Sequence, residues 1–390
     1  MPSYLKPSII LVVIMESSLG ILTIDLAAIQ MNWKRINCQL DAGKTSSAAV
    51  IKANAYGLGA AQVGRALYDA GCREFFLATQ TEAVEARTYL PADAVLYVLG
   101  GMRSGVEQEF IRNRLVPVLF SLKDLRRWQS ACERAGVSGD CAVKVNTGMT
   151  RLGLDMPELL IWLSSLSSFS NTLPVLIMSH LACADEPGHP LNKTQLNEFR
   201  QVVKLCKLQL PDARFSLANS SAIFLGKEWH FDLVRPGASL YGINPQQPRS
   251  SPVLPVIQLD LPVIQVRKIL QSASVGYCAT TYVAPSSVLA VVAGGYADGL
   301  HRTIGPQGRG NIDGYPVNII GRISMDTSIF DVSSVPDEIL QREPLMVKVL
   351  GGGLTLDLMM EQEGVLGYEI LTSLGVRYQR RYVSDGRLNE

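Results

Sequence analysis

The chain has 390 residues, of which 47% are hydrophobic and 18% are charged, and its formal net charge is +1. This composition predicts a large buried core and excludes an intrinsically disordered protein. The near-neutral charge provides no electrostatic basis for binding nucleic acid or an anionic membrane. A chain of this length is expected to form two domains, or one large barrel with an appended domain.

Residues 1–20 are interpreted as an N-terminal extension. Their apolar run from Ile9 to Met15 is too short to span a bilayer. The run follows a basic residue, as the apolar part of a signal peptide does, but no clear small-residue cleavage site comes after it. We therefore expect an extension, or an upstream start codon, ahead of a domain that begins near Ile21.

The cysteines and histidines are dispersed along the chain. The seven cysteines are odd in number and contain no Cys-x-x-Cys motif. This pattern fits reduced thiols in a cytoplasmic protein better than a disulfide framework or a zinc site. The four histidines are equally scattered, so the sequence predicts no metal site.

Short apolar runs alternate with helix-length segments in the first part of the chain. The candidate strands are 46–53, 73–79, 94–99, 115–120, 141–146, 173–181, 214–219 and 232–235. Eight strands separated by helices predict an α/β domain, a (β/α)8 TIM-like barrel over residues 21–244. A doubly wound open sheet is the alternative.

The residue composition of the sequence changes after this domain. Five prolines fall between Asn244 and Pro262, which predicts a linker and a domain boundary. Beyond it, β-branched runs are separated by Gly and Pro turns, at 263–269, 288–292, 317–320 and 345–350. We interpret residues 245–390 as a mainly β domain.

Lys52 is out of place at the end of an apolar run. Ala48 to Ile51 read as a buried strand, so the ammonium of the next residue would be desolvated, which depresses the pKa of a lysine. A lysine that is neutral near pH 7 is a nucleophile able to form a Schiff base. Tyr56 and two glycines follow and could meet a phosphate. The alternative is that the ammonium group of Lys52 remains in solvent while its methylene chain packs against the strand.

Other polar residues also follow candidate strands. His180 ends the sixth strand, and Arg235 directly follows the apolar pair Leu233-Val234 of the eighth. Catalytic residues of barrel enzymes lie at such strand ends. A packed core histidine and a surface arginine are the alternatives.

The loops after strands seven and eight are the usual phosphate site of this fold. Asn219 and Ser220 lie in the first of these loops, and Gly237 and Ala238 lie in the second. A serine hydroxyl and backbone N–H groups can close on phosphate oxygens. Ordinary small residues in tight turns are the alternative.

The stretch 50–59, Val-Ile-Lys-Ala-Asn-Ala-Tyr-Gly-Leu-Gly, resembles the pyridoxal-phosphate lysine motif of alanine racemases, with Leu58 where the family usually has His. Further family motifs follow in the same order. They are His-Leu-Ala-Cys-Ala-Asp at 180–185, Gly-Tyr-Ala-Asp-Gly at 295–299 and Gly-Arg-Ile-Ser-Met-Asp at 321–326. The resemblance covers residues 21 to about 380, nearly the whole chain.

The resemblance implies roles for residues of the barrel. Lys52 would form the aldimine with pyridoxal 5'-phosphate (PLP) and act as a base on one face. Arg235 would meet the pyridine nitrogen, where most PLP enzymes have a carboxylate. Arg151, in the Lys-Val-Asn-Thr-Gly-Met-Thr-Arg-Leu-Gly motif at 144–153, would meet the phenolic oxygen and the substrate carboxylate. The remaining implied cofactor contacts are Tyr56, His180, Asn219, Ser220, Gly237 and Ala238.

The resemblance implies further roles for residues of the β domain. Tyr277 would be the second base, in a motif where Cys278 replaces the family's Gly. The backbone N–H of Met325 would hold the substrate carboxylate, and Tyr368 would reach the phosphate. Family members are homodimers in which the partner subunit supplies the tyrosine base.

We therefore expect an enzyme that interconverts L- and D-alanine by two-base α-proton transfer and supplies D-alanine for peptidoglycan. A broader racemase acting on serine or basic amino acids is the alternative. A barrel-type PLP decarboxylase is disfavoured because the Gly triplet 351–353 lies outside the barrel. A non-catalytic PLP carrier would generally lack the β domain.

Overall fold

The computed structural model describes residues 20–169, 172–245, 250–304, 308–363, 366–384 and 387–389. Nearly all of the predicted N-terminal extension, and residues 246–249 of the predicted linker, lie outside the described residues. The chain divides into two compact units. One is Ala27–Leu254, and the other joins the described residues up to Leu26 to those from Pro255 onward.

The structure consists of short strands and helices throughout. The strands are β1 (Ile21–Asp25), β2 (Ser46–Ser47), β3 (Ala49–Val50), β4 (Glu74–Leu77), β5 (Val95–Val98), β6 (Leu115–Leu119), β7 (Cys141–Lys144), β8 (Pro174–Met178), β9 (Arg214–Ser216), β10 (Leu233–Val234), β11 (Ile257–Lys268), β12 (Ala273–Val275), β13 (Thr281–Val283), β14 (Val288–Ala293), β15 (Arg309–Ile312), β16 (Tyr315–Ile319), β17 (Thr327–Asp331), β18 (Met346–Leu350), β19 (Gln379–Ser384) and β20 (Arg387–Asn389). The helices are α1 (Leu26–Asn37), α2 (Ala60–Asp69), α3 (Gln80–Tyr89), α4 (Glu107–Arg112), α5 (Leu122–Ala135), α6 (Met156–Ser164), α7 (Pro190–Lys207), α8 (Ser220–Ile223), α9 (Asp337–Leu340), α10 (Leu356–Glu363) and α11 (Gly367–Ser373). Short 3-10 helices span Leu166–Phe169, Lys227–Trp229, Ala238–Tyr241, Tyr277–Ala279 and Tyr296–Asp298.

The first unit is a closed parallel barrel. Strands β3 to β9 pair in sequential order. The segment around β10 closes the barrel, because Ala48 N–H donates to the carbonyl of Val234 on one side and Arg235 N–H donates to the carbonyl of Ala218 on the other. The predicted (β/α)8 barrel is confirmed, and the open-sheet alternative is wrong.

Apolar strands fill the barrel interior. Val50, Phe76, Val118, Met178 and Leu233 belong to one buried cluster. Parallel strands that are covered on both faces carry continuous apolar runs, which explains why these strands were readable from the sequence. A charged residue at the end of such a strand therefore stands at the rim of an apolar interior.

The second unit is mainly antiparallel. Its sheet has the order β14-β17-β16-β15-β18-β11-β1-β19-β20, and β11 also pairs with β14. Six strands, β11 and β14–β18, thus close into a small antiparallel barrel. The predicted mainly β domain is confirmed.

Strand β1 lies in the second unit, although the barrel domain was predicted to begin at residue 21. Ile21 pairs with Asp260 of β11 and with Gln379 of β19. Leu22 and Ile24 are fully buried while their neighbours are partly exposed. This alternation suits a half-covered sheet rather than the interior of a parallel barrel. The division between the units falls at 26/27 and 254/255.

Among the described residues, none of the helices combines the length and the apolar character that a membrane crossing requires. All seven cysteines lie in the described part of the chain and are free thiols.

Candidate active site

Lys52 follows β3 after one residue, Ile51, and directly precedes a left-handed turn. Ala53, Asn54, Ala55 and Tyr56 have φ values of 52°, 54°, 53° and 56°. The left-handed conformation costs an L-residue roughly 1–2 kcal/mol, so four in a row are rare. Such strain gathers at functional sites, where the surrounding structure holds it in place.

Hydrogen bonds on both sides hold the turn. The N–H of Gly57 donates to the carbonyl of Ala53 at 2.8 Å, and Asn54 Oδ1 accepts from the N–H of Ala60 at 2.8 Å. The N–H of Ala53 donates to Glu82 Oε1 at 2.9 Å. From the sequence, only Tyr56 and the two glycines after Lys52 were singled out, and neither the left-handed turn nor Glu82 was predicted.

Four cations gather at the carboxyl ends of the strands. Burial lowers the pKa of Lys52, the charge of Arg151 lowers it further, and Glu82 opposes both effects. Burial also lowers the pKa of Lys144 to about 8, and Arg151, Arg235 and Lys52 add to that effect. These mutual effects show that the structure brings the predicted residues Lys52, Arg151 and Arg235 together.

Three of these cations have no bonded partner. Within the described residues, the side chains of Lys52, Lys144 and Arg151 form no hydrogen bond or ion pair. Lys144 is nevertheless only 7% exposed. Buried charges are normally paired. The site therefore suits a ligand that carries several negative charges.

Arg235 is fixed inside the barrel. Its guanidinium donates to the carbonyl of Ser179 at 2.7 Å, to the carbonyl of Leu217 at 3.3 Å and to the Ser216 hydroxyl. Burial lowers its pKa to about 9, so the group stays charged at neutral pH. The alternative of a surface arginine is excluded because Arg235 is 4% exposed.

His180 lies beside Arg235. Its Nδ1 is 3.5 Å from Arg235 Nη2. Burial, followed by the charge of Arg235, lowers the pKa of His180 well below the usual range. The imidazole is therefore neutral at pH 7 and can lie against a ring without adding another positive charge.

The loops after β9 and β10 form a cradle of small residues. Ser220 Oγ accepts from the N–H of Gly237 at 2.9 Å and from the N–H of Ser239 at 3.2 Å. The predicted phosphate donor Gly237 thus donates to Ser220 in this structure. The N–H of Ala238 has no acceptor among the described residues. Asn219 caps α8 through Oδ1, which accepts from Ala222 at 3.1 Å.

Tyr56 lies against this cradle. A Cβ atom at Gly237 would be 2.5 Å from the Tyr56 hydroxyl, so only glycine leaves room there. The Tyr56 ring also packs on Tyr241, with ring centroids 4.7 Å apart. The left-handed turn thereby carries Tyr56 from the strand of Lys52 to the loop after β10.

The predicted site residues of the second unit are all exposed. Tyr277, in a 3-10 helix, is 66% exposed, Met325 is 53% exposed, and Tyr368, on α11, is 42% exposed. The carbonyl of Met325 accepts from the N–H of Ala297 at 3.0 Å. The N–H of Met325 has no acceptor among the described residues, so it is available to an anion.

Groups of three or more His, Cys, Asp or Glu side chains that could hold a metal ion do not occur in the described ranges.

Comparison with known proteins gives matches along almost the whole chain. Residues 24–245 match the family model for the alanine racemase N-terminal domain, and residues 256–382 match that for the C-terminal domain. Two curated relatives are an alanine racemase of Rhodospirillum rubrum, 46% identical over 94% of this chain and 96% of that one, and a catabolic alanine racemase of Agrobacterium fabrum, 40% identical over 94% and 93%.

A solved structure has the same fold as this chain. The crystal structure of alanine racemase from Bartonella henselae with covalently bound pyridoxal phosphate has 35% sequence identity and a TM-score of 0.86. The match covers 94% of this chain and 100% of that one. With both domains matched in order and the fold shared throughout, the chain belongs to the alanine racemase family.

Proposed function

We propose that this protein is a PLP-dependent alanine racemase that interconverts L- and D-alanine and supplies D-alanine for peptidoglycan. The observation that carries the proposal is Lys52, which stands at a strand end among unpaired cations with its pKa lowered by burial. Family membership supports the same conclusion, because the relatives above are named for this activity.

The barrel residues fit PLP. The cofactor carries a phosphate and a phenolic oxygen, and Lys144, Arg151 and Lys52 offer positive charge that no described carboxylate pairs. The cradle at Gly237 packs against the Tyr56 hydroxyl, and it presents the Ser220 hydroxyl and the N–H of Ala238, which has no acceptor among the described residues, in the loops where a barrel binds phosphate. Lys52 would hold the cofactor, since a lysine with a lowered pKa is the nucleophile that PLP requires.

PLP, when bound, supplies an electron-withdrawing ring that makes the α-proton of an amino acid acidic. Lys52 takes or returns this proton on one face, and Tyr277 does so on the other. Inversion needs a base on each face, because one base alone returns the proton to the side it came from. Positioned acid–base groups contribute roughly 10²–10⁴-fold each.

Arg235 limits the reaction to proton transfer. An arginine can only donate, so it would leave the pyridine nitrogen without a proton. By keeping that nitrogen unprotonated, Arg235 would weaken electron withdrawal by the ring and so disfavour side reactions such as transamination. The hydrogen bonds to Ser179 and Leu217 keep the guanidinium in place for this role.

The substrate carboxylate is assigned to Arg151 and to the free N–H of Met325. An arginine and a backbone N–H are common carboxylate ligands. Tyr277, Tyr368 and Met325 are expected to leave space for a small side chain, which favours alanine over serine or basic amino acids.

We further propose a cytoplasmic homodimer. An exposed tyrosine is a poor base without a shaped site around it, and Tyr277 is 66% exposed in the single chain. A partner subunit that contributes Tyr277 would complete the site. The seven free thiols fit the reducing cytoplasm.

The first experiment incubates the PLP-loaded protein with L-alanine in deuterated water and follows circular dichroism and α-deuterium together. We expect loss of optical rotation with one deuterium at the α-carbon. Lys52→Ala should abolish both signals, because it removes the cofactor's anchor and one base. Lys193→Ala, on the exposed face of α7, is the matched lysine control.

Two results would contradict the proposal. Deuterium exchange with full retention of L-alanine would show that only one base works. Carbon dioxide release from another amino acid, with no exchange in alanine, would assign the protein to the decarboxylases.

A further inference from the structure

Glu82 reaches from helix α3 to the peptide that follows Lys52. Its Oε1 accepts from the N–H of Ala53 at 2.9 Å. Its Oε2 accepts from the N–H of Ala78 at 2.7 Å and, more weakly, from that of Thr79 at 3.4 Å. One carboxylate thus ties the end of β3 to the segment that follows β4.

This arrangement exceeds what helix capping requires. Thr79 and Glu82 form a capping box at the start of α3, and Asp155 and Glu158 form the same box at the start of α6. In the second box the Glu158 carboxylate accepts from the N–H of Asp155 at 3.1 Å, and it forms no other hydrogen bond or ion pair among the described residues. The bond to Ala53 is therefore additional to the box.

The bonded N–H belongs to the peptide unit that joins Lys52 to Ala53. Fixing this peptide fixes the direction in which the Lys52 side chain leaves the backbone. Ala53 is also the first of the four left-handed residues and is exposed to solvent. Without Glu82, the N–H of Ala53 would donate to water instead, and the strained turn would lose its hydrogen bond to α3.

We propose that Glu82 is a positioning residue for racemisation, which holds the Lys52–Ala53 peptide and the left-handed turn so that the lysine amine stays in register with the substrate. The proposal rests on the proposed function of Lys52 as anchor and base. Glu82 touches neither cofactor nor substrate in this role.

The charge of Glu82 acts in the same place. Arg151, Lys144 and His180 interact electrostatically with Lys52, and Glu82 is the acid that opposes them. Replacing the carboxylate by an amide removes this opposing charge. The pKa of Lys52 should then fall further below the usual lysine range.

The test compares Glu82→Gln with Glu158→Gln, which alters a capping box away from the Lys52 turn. Both full-length proteins are loaded with PLP, and the kcat and KM for alanine are measured. We expect Glu82→Gln to lose roughly 10–100-fold in kcat, because the amide has one acceptor oxygen where the carboxylate uses two, and a misplacement of a reacting group by about 1 Å has an effect of this size. The KM should change little, and Glu158→Gln should resemble the wild type in both constants.

A second readout does not depend on activity. Hydrogen exchange of the peptide covering residues 50–59 is followed by mass spectrometry, with and without PLP. Faster exchange in Glu82→Gln than in Glu158→Gln would support the hold on the turn. Equal exchange and equal kcat in the two variants would overturn the proposal. A wild type that does not racemise alanine would refute the proposed function, whereas the exchange comparison would still decide whether Glu82 holds the turn.

Discussion

At the scale of single residues, the barrel site gathers positive charges, and three of them have no hydrogen-bond or ion-pair partner among the described residues. Lys144 is 7% exposed, and burial together with Arg151 lowers its pKa to about 8. In the unfolded chain a lysine titrates near its usual value, about 10.4. The folded protein therefore disfavours the ammonium that is present at neutral pH.

This difference predicts how stability depends on pH. A lysine pKa that is lower in the folded than in the unfolded protein reduces the free energy of unfolding. The reduction is complete below the folded pKa of about 8, and it disappears as the pH rises from 8 to about 10.4. In the cofactor-free protein, the free energy of unfolding of Lys144→Met should exceed that of the wild type by up to about 3 kcal/mol at pH 7. The difference in free energy of unfolding between the two proteins should shrink at pH 9–10. Urea denaturation at each pH measures this difference.

A gap that does not change with pH would mean that packing, rather than charge, separates the two proteins. Lys204→Met, on helix α7 away from the four cations, is the control and should show no comparable pH-dependent gap.

Single residues were predictable from the sequence where their charge conflicts with their surroundings. Lys52 and Arg235 each follow an apolar pair, and this conflict is visible without a structure. The left-handed turn was not predictable, because Ala and Tyr rarely adopt positive φ and only Asn54 in this stretch tolerates it well. Glu82 was missed because its bond to Ala53 joins two segments 29 residues apart.

At the scale of elements, two loops of the second unit are locked together around Met325. Ala297 N–H donates to the carbonyl of Met325, and a Cβ at Gly295 would lie 2.3 Å from that carbonyl oxygen. Arg377 joins the loops by donating to Asp298 at 2.6 Å and to Asp326 at 2.8 Å. The fully buried Asp298 also accepts from the N–H of Gly295 at 3.0 Å.

This packing predicts that Arg377 supports substrate binding. Arg377→Gln should raise the KM for alanine about 10-fold with a smaller effect on kcat, because the N–H of Met325 loses its fixed position. It should also lower the free energy of unfolding, since the buried Asp298 loses a charged partner. Steady-state kinetics and urea denaturation measure the two effects.

Arg342→Gln provides the matched control, because Arg342 pairs with Asp313 and both side chains are more than half exposed. An unchanged KM in Arg377→Gln would show that the loop around Met325 holds without this arginine.

The elements of the barrel were predictable because most of its strands are largely apolar and helices alternate with them. Strand β1 was not, because its five residues carry no signal for which sheet they join. Its partners, β11 and β19, come more than 200 residues later in the chain. Long-range pairing of this kind is decided by register and burial in the folded chain, which local sequence does not report.

At the scale of the whole molecule, the proposed homodimer makes a quantitative prediction. A mixture of Lys52→Ala and Tyr277→Phe subunits, unfolded and refolded together, should regain activity if each site combines a lysine and a tyrosine from different subunits. Random pairing gives half heterodimers with one intact site of two, so about a quarter of wild-type activity is expected.

Each variant refolded alone is the control and should stay inactive. A mixture that remains as inactive as its parts would show that Lys52 and Tyr277 of one site belong to the same subunit. Assembly of this kind was foreseen only through the family resemblance, because a dimer surface is defined by its fit to another copy and leaves no periodic pattern in one sequence.

The unpaired cations of the barrel link the supply of cofactor to the amount of protein in the cell. An anion that binds only the folded chain at 100 times its Kd stabilises that chain by about 2.7 kcal/mol. A change of about 1–2 kcal/mol already alters cellular abundance several-fold, because proteases remove the unfolded fraction. Shortage of vitamin B6 would therefore reduce both the loaded fraction of the protein and its total amount, since the empty chain is degraded faster.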